Sequence, residues 1–468
     1  MVHAPRDRIF SRQIAGRHSM GGAVARPAGT GSPKKVALAS LIGTTIEWYD
    51  FFIYSTAAVL VFNRHFFPGF APAIGTLLAF STFAAGFVAR PIGAVVFGHF
   101  GDRVGRKSMM VVTILLMGVA TLSIGLLPTY ATIGVLAPVL LVALRLTQGF
   151  ALGGEWGGAA LMATEHSPDG KRGFYGSWPQ AGVAVGLILA MTVYLPLDAM
   201  PDEHFMAWGW RIPFLLSAVL VITGLIIRVQ VAESPEFDRV KNVHAVVRLP
   251  IIEVLRTHPA QVLLVAGASL SPGIFFYLLT VYNFVYAQKP GGLSQSAMLV
   301  LVIITSAIGF FVTPLAGALS DRFGRQRLYL VGLGLIGVLA VPLYWALDTG
   351  SWGVIAACYV AATVAVYIPW ALQPAYFSEV FDARVRYSGL SLATTLGNLL
   401  GSAIAPLIAG SLLAATHSSF SISLYIIVAS AISISCALVL GRTTRKRGGG
   451  AVSASAGAHG LRTSTLSQ

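Results

Sequence analysis

The sequence predicts an all-α polytopic membrane protein of twelve transmembrane helices in two six-helix halves, and three observations carry that expectation. First, 55% of the 468 residues are hydrophobic and only 11% are charged, with a mean hydropathy of +0.75. Soluble domains carry about 25% charged residues. Second, twelve apolar stretches reach the ~20 residues that a bilayer crossing needs. Third, the chain repeats itself. This composition excludes a soluble enzyme, a nucleic-acid-binding domain and a disordered chain.

Residues 1–35 hold seven Lys/Arg against one Asp and no useful apolar run, so they read as a disordered basic cytoplasmic tail and not as a signal peptide. The N-terminal half, 36–230, holds spans near 36–62, 74–98, 108–127, 135–163, 173–197 and 208–230. A polar stretch, 231–259, reads as a cytoplasmic linker. The second half, 260–441, holds spans near 260–288, 294–318, 328–347, 352–378, 387–415 and 418–441. Residues 442–468 are Gly/Ala/Ser-rich with five Lys/Arg and no acid, the signature of a second disordered basic tail. With the N-terminus inside, tails and inner loops carry 27 Lys/Arg, Arg228 among them, against three in the outer loops. Cytoplasmic loops of membrane proteins are enriched in Lys and Arg, so both termini are expected in the cytoplasm. The net charge of +14 thus belongs to tails and loops and not to a nucleic-acid surface. Cys358 and Cys436 lie inside apolar segments and read as small core residues, with no disulfide framework or metal site.

The repeat joins GHFGDRVGRK (98–107) to GALSDRFGRQ (317–326), each between the second and third spans of its half. Glu165 precedes Arg172 by seven residues, and Glu379 precedes Arg386 by seven, after the fourth span of each half. Paired six-helix halves are the plan of parallel-repeat transporters, with the binding site between the halves near the midplane. Gly105 and Gly324 suit tight turns. Asp102, Arg103 and Arg106, with Asp321, Arg322 and Arg325, form a candidate cytoplasmic gate, in which each Asp pairs with an Arg or with a neighbouring helix terminus.

Ionisable groups at mid-bilayer are costly and mark function. Five stand inside the predicted spans, all in the first half: Glu47, Asp50, Arg90, Arg145 and Glu155. Glu47 and Asp50 are three apart on one helix face that Tyr54 continues. Two adjacent carboxyls in low dielectric should not both ionise, which suits one of them to proton coupling. Arg145, Gln148 and Glu155 share a stripe of the fourth span. Arg145 and Glu155 stand about 15 Å apart along the axis and cannot pair. Arg145 either holds a substrate carboxylate as a bidentate fork or pairs with Glu47 or Asp50. Arg90 either faces the substrate or snorkels to the interface. In the second half, Tyr282 and Asn283 of the seventh span, Trp370 and Gln373 of the tenth and Asn398 of the eleventh offer a charge-free wall for hydroxyl and ring recognition. Glu47, Asp50, Arg145 and Glu155 are therefore the candidate coupling residues. The candidate substrate residues are Arg90, Arg145, Gln148, Tyr54, Tyr282, Asn283, Trp370, Gln373 and Asn398.

The paired GDRVGRK and SDRFGRQ loops and RLTQGF (145–150) resemble the signature of the major facilitator superfamily. TTIEWYDFFIYS (44–55), FVARPIGAVVFGHFGDRVGRK (87–107), GFALGGEWGGAA (149–160) and WGWRIPF (208–214) resemble its metabolite:proton symporter family, whose members carry shikimate, α-ketoglutarate, citrate and proline/betaine. FNRHFFP (62–68) looks most like the shikimate-type carriers. The resemblance implies the major facilitator fold and a bacterial cytoplasmic (inner) membrane. It also implies proton-coupled uptake of a small organic acid, with a zwitterion such as proline or betaine as the alternative. In this family the fourth-helix Arg is tied to coupling. Residues 442–468 lack the heptads of the osmosensing betaine carriers. No HExxH, GxSxG, Walker or paired His/Cys motif points to an enzyme. The expected partners are the organic acid, protons and the lipid bilayer, without nucleic acid. No cofactor is expected beyond the proton gradient, and the carrier is expected to act as a monomer.

Overall fold

The structure is a computed structural model that describes residues 32–69, 72–230, 233–234, 237, 250–288 and 292–464. Residues 1–31 of the expected 1–35 tail and most of the linker lie outside the described residues, and Pro33, Lys34 and Lys35 already belong to the first helix. Among the described residues twelve main helices make up the body. In the first half these are α1 (Pro33–Ala57), α2 (Pro72–Val104), α3 (Arg106–Leu126), α4 (Leu136–Glu165), α5 (Trp178–Asp198) and α6 (Ile212–Val229). In the second half they are α7 (Pro259–Tyr277), α8 (Gln295–Phe323), α9 (Arg325–Thr349), α10 (Trp352–Ser378), α11 (Arg386–Gly397) and α12 (Phe420–Ser464). Among the described residues eleven helices are long and apolar enough to cross a membrane. The 33-residue α2 is the twelfth long helix. No strand occurs among the described residues.

Two boundaries differ from the sequence expectation. Helix α12 runs on to Ser464 through the stretch read as an unstructured tail. That stretch contains no proline to stop it. Arg228, counted above with the loop cations, stands in the last turn of α6 and is only 3% exposed.

Three helices contain π-turns: Ala58–Phe62 extends α1, Leu278–Tyr282 extends α7 and Asn398–Ser402 extends α11. The first two fall at matching places in the two halves. Large apolar side chains such as Val338, Phe311 and Leu263 remain more than two-thirds exposed on the outer faces, as a lipid solvent allows.

Lipid is as apolar as leucine, so helices here associate through close backbone approach at small residues. Gly149 and Gly153 of α4 face α2, and a Cβ at either would overlap the carbonyl oxygen of Gly86 or Arg90. Gly149→Val is therefore expected to push α2 and α4 apart, costing about 1–3 kcal/mol as overpacking does. A monodisperse, wild-type-like gel-filtration profile of the variant in detergent would refute this.

The halves meet along two symmetry-related seams, α2 against α11 and α5 against α8. These seams frame the space between the halves.

Candidate functional site: a central cavity sealed on the cytoplasmic side

The cytoplasmic end is closed by two matching devices. Asp102, at the end of α2, accepts hydrogen bonds from Ser388 N (3.0 Å), Ser388 Oγ (2.8 Å) and Tyr387 N (3.4 Å) at the start of α11. Asp321, at the end of α8, accepts from Gly173 N (2.8 Å) and Phe174 N (2.9 Å), in the short helix Arg172–Gly176 that leads into α5. A helix start presents unsatisfied N–H groups and partial positive charge, so a carboxylate there is doubly favoured. Each half thus caps a helix of the other. Arg106 pairs with Glu165, and Arg325 pairs with Glu379, the equivalent partners in the two halves. Arg386 crosses from the second half to Glu165 at 3.2 Å. Gly105 (φ 126°) and Gly324 (φ 92°) make the turns between these helices, as their spacing required.

Of the six candidate gate residues, Asp102, Arg106, Asp321 and Arg325 take part in this network. Arg103 and Arg322 are exposed, and Arg103 reaches its neighbour His99 (3.3 Å). The sequence did not reveal that the linker joins in. Glu233 accepts from the backbone of Arg106 (3.1 Å) and Lys107 (3.2 Å), and Ser234 Oγ accepts from Arg106 (2.8 Å). Asp102→Asn is expected to weaken the seal by about 1.5–3 kcal/mol, the worth of hydrogen bonds to a charged group. Uptake should slow while equilibrium substrate binding stays near wild type. A large loss of binding with normal cycling would overturn that assignment.

Above the seal lies a cavity of about 40 Å³. It is lined from the first half by Glu47, Trp48, Arg90 and Trp156, and from the second by Ser269, Tyr277, Trp370, Gln373, Thr394, Thr395 and Asn398. Four of the sequence candidates for a midplane site (Arg90, Trp370, Gln373 and Asn398) are thus brought together with Glu47. Arg90 is 7% exposed and lies 4.1 Å from the Phe87 ring centroid, so it does not snorkel outward. Glu47 is 4% exposed, and its Oε2 finds no hydrogen-bond partner among the described residues. The indole N–H groups of Trp48 and Trp370 are likewise buried without partners among the described residues. Buried polar atoms are almost always bonded, so this cavity wall carries hydrogen-bonding capacity that the described residues do not use.

On the outer side, Phe276 stacks on Trp370 (4.8 Å) and meets Trp48 edge-on (5.6 Å), and Tyr277 meets Phe51 and Phe87 (both 5.8 Å). This aromatic layer joins the two halves. A larger cavity of about 330 Å³ opens between the outer parts of α1, α5, α7 and α8, with Phe52 in its wall. The structure is therefore sealed towards the cytoplasm and open above the aromatic layer.

The remaining candidates lie elsewhere. Asp50 does not face Glu47 across the cavity. It accepts from Thr121 of α3 (2.8 Å) and Ser217 of α6 (2.5 Å), away from the α2 side. Arg145 is engaged on its own helix and against α1. It donates to Gln148 (3.1 Å) and lies 4.1 Å from the Tyr54 ring centroid. Gln148 in turn donates to Thr121 (2.7 Å). Tyr54 directs its hydroxyl to Thr82 (2.7 Å). Asn283 accepts from Tyr344 (2.9 Å), and Tyr282 stacks on Tyr286. Glu155 is bound by Arg228, whose side chain fits because Gly43 on α1 leaves room for the guanidinium.

A cavity enclosed between two homologous six-helix halves, sealed at one face by exchanged helix caps, defines a membrane transporter and not an enzyme. The chain belongs to the Major Facilitator Superfamily, which it matches over residues 40–406. It is 40% identical over 413 residues to the shikimate transporter of Escherichia coli K12, covering 87% of this chain and 94% of that protein. It is 45% identical over 387 residues to the inner membrane metabolite transport protein YhjE of the same organism, covering 81% and 87%. The proline/betaine transporter of Salmonella typhimurium is 32% identical over 435 residues, covering 89% and 85%. Among solved structures, the proton:xylose symporter XylE superimposes with a TM-score of 0.70 at 17% identity, covering 88% of this chain and 96% of that one, a likeness of fold alone. The chain is a multi-pass protein of the inner membrane.

Proposed function

We propose that this carrier is a monomeric proton symporter that takes up a small organic acid by alternating access, driven by the proton gradient without a cofactor. The observation that carries this reading is the sharing of one buried cavity by Glu47, with its unpartnered oxygen, and Arg90. Arg90 is the cation of that lining, and a guanidinium is a natural fork for a carboxylate. An anion bound beside an ionised Glu47 would meet repulsion of roughly 4 kcal/mol at 4 Å and an effective dielectric of 20. Protonating Glu47 removes that repulsion and frees Arg90. Proton and anion then favour each other's binding, and linkage makes that preference reciprocal. A single cation suits a monoacid better than a di- or tricarboxylate. Ser269, Thr394, Thr395, Gln373 and Asn398 suit hydroxyl oxygens, which fits a hydroxylated ring acid such as shikimate.

A zwitterion is the second reading. The acid–guanidinium pair and the three tryptophans could hold an ammonium against aromatic faces. Uptake into proteoliposomes with an inward proton gradient separates the two. Labelled shikimate, citrate, α-ketoglutarate and glycine betaine should be offered in parallel, with and without a protonophore. Accumulation of the monoacid that collapses with the protonophore is expected. Uptake indifferent to the protonophore, or confined to betaine, would overturn the reading.

A further inference from the structure

We propose that the outer vestibule is a docking site of its own, where Arg64 captures the carboxylate of a cyclic monoacid before the solute reaches the central cavity. The proposal rests on the reading above only for the class of solute. Volume is the first argument. A cavity needs about 10–15 Å³ of free space for each water it holds. The central cavity of about 40 Å³ therefore has room for roughly three waters and not for a ring acid. The vestibule, at about 330 Å³, falls within the roughly 300–1,000 Å³ of small-molecule pockets. In this sealed state the vestibule, and not the central cavity, has the room for such a solute.

Charge is the second argument. Of the three cations in the outer loops, Arg211 is committed to the backbone: it donates to Gly125 O (2.7 Å) and Leu127 O (2.9 Å) and lies over the Trp210 ring. Lys289 lies outside the described residues. Arg64 lines the vestibule, its side chain is 59% exposed, and it uses one nitrogen, Nη1, on both oxygens of Asp202 (3.1 and 3.4 Å). A guanidinium offers five N–H donors, so Nη2 and Nε remain for a second carboxylate. Asp202 is 77% exposed, and an exposed ion pair contributes little, so an incoming anion can also displace it. The FNRHFFP segment holds the arginine in place. Phe62 and Phe66 pack edge-on against Trp210 (both 6.2 Å), and His65 Nε2 donates to Met206 O (2.8 Å). Phe52, Thr56, Leu60 and Arg64 all line the vestibule at intervals of four residues, a register that the wider π-turn at Ala58–Phe62 favours. That stripe climbs about 18 Å by helical rise, from the aromatic layer to the mouth. Phe52, Phe205 and Phe284 offer apolar faces to a ring. The hydroxyls of Ser55 and Thr280 donate to Phe52 O (2.9 Å) and Phe276 O (2.8 Å), and each keeps lone pairs that accept from a ring hydroxyl. Arg64 outside the aromatic layer and Arg90 beneath it thus stand as two anion sites in series.

The test is thiol protection, which needs no transport. Thr56→Cys, in a carrier with Cys358→Ala and Cys436→Ala, places a thiol in the vestibule wall for a membrane-impermeant maleimide applied from outside. Thr280→Cys serves on the opposite wall if the first variant does not fold. Shikimate and benzoate should slow labelling, and methyl benzoate, which lacks the charge, should not. Arg64→Gln should raise the half-protecting concentration about tenfold, and Arg64→Lys should raise it less. Protection should persist in Arg90→Gln, which disables the central site. Asp202→Asn removes the competing carboxylate and should lower the half-protecting concentration of both acids. Protection by neither acid, or protection indifferent to Arg64→Gln, overturns the docking site. So does a vestibule that only glycine betaine protects and that Asp202→Asn weakens, because the ion pair would then hold a zwitterion. Uptake indifferent to a protonophore overturns the symport reading instead, and leaves the docking site standing if Arg64-dependent protection holds.

Discussion

Glu47→Gln should abolish accumulation against a gradient while leaving the carrier able to exchange solute. A glutamine keeps the shape of the cavity wall and holds it permanently in a state resembling the protonated acid, so Arg90 stays free to bind an anion. What is lost is the exchange of a proton in each cycle. Every 1.4 kcal/mol of proton-motive force supports a tenfold concentration ratio. The wild-type ratio should therefore rise tenfold per such increment, and the variant should stay near unity at any gradient. Counterflow of labelled substrate in proteoliposomes should survive at least partly. Accumulation by the variant that still rises with the proton gradient would sink the assignment of Glu47. Arg90→Lys complements it: an ammonium is a point charge and cannot reproduce the planar fork, so affinity should drop about tenfold or more even though the charge is kept.

The second large effect concerns stability. Arg228→Ala leaves Glu155 uncompensated in the interior, and removing one partner of a buried ion pair costs about 3–5 kcal/mol. The apparent melting temperature of the detergent-solubilised protein should fall sharply. The double variant Glu155→Gln with Arg228→Ala removes both charges and should recover most of that loss. A single variant as stable as wild type, or a double variant no better than the single, would show that the pair is not a matched charge couple.

The fold was largely legible because a bilayer imposes length and apolarity on each helix, and because the repeated Asp–Arg loops mark the halves. The capping contacts at the cytoplasmic helix ends were legible for the same reason, since Asp102 and Asp321 sit at equivalent helix ends. Trp370, Gln373 and Asn398 were found by depth alone. The errors are instructive in their physics. Glu47, Asp50 and Tyr54 lie on one broad stripe of α1, but at 3.6 residues per turn Glu47 and Asp50 still diverge by about 60°. Four neighbouring helices divide that stripe, so Glu47 meets the cavity, Asp50 meets α3 and α6, and Tyr54 meets Arg145 of α4 and Thr82 of α2. Arg228 was misread because a lone arginine at the end of an apolar run looks like a loop cation. Its burial depends on Gly43, a helix away. Thr121 and Ser217 gave no signal, because isolated hydroxyls in apolar helices commonly satisfy themselves on the preceding turn. Trp48 and Trp156 were indistinguishable from interface aromatics.

The exchange of helix caps also constrains how the molecule is made. Asp102 is synthesised 286 residues before Ser388, and Gly173 emerges 148 residues before Asp321. The growing chain therefore inserts its first six helices with one carboxylate waiting for a helix start that does not yet exist, and one helix start waiting for a carboxylate. The eighth helix satisfies the second need and only the eleventh satisfies the first. A polypeptide stopped after the tenth helix has half of its cytoplasmic seal, and the seal is among the last parts of the carrier to form at the ribosome.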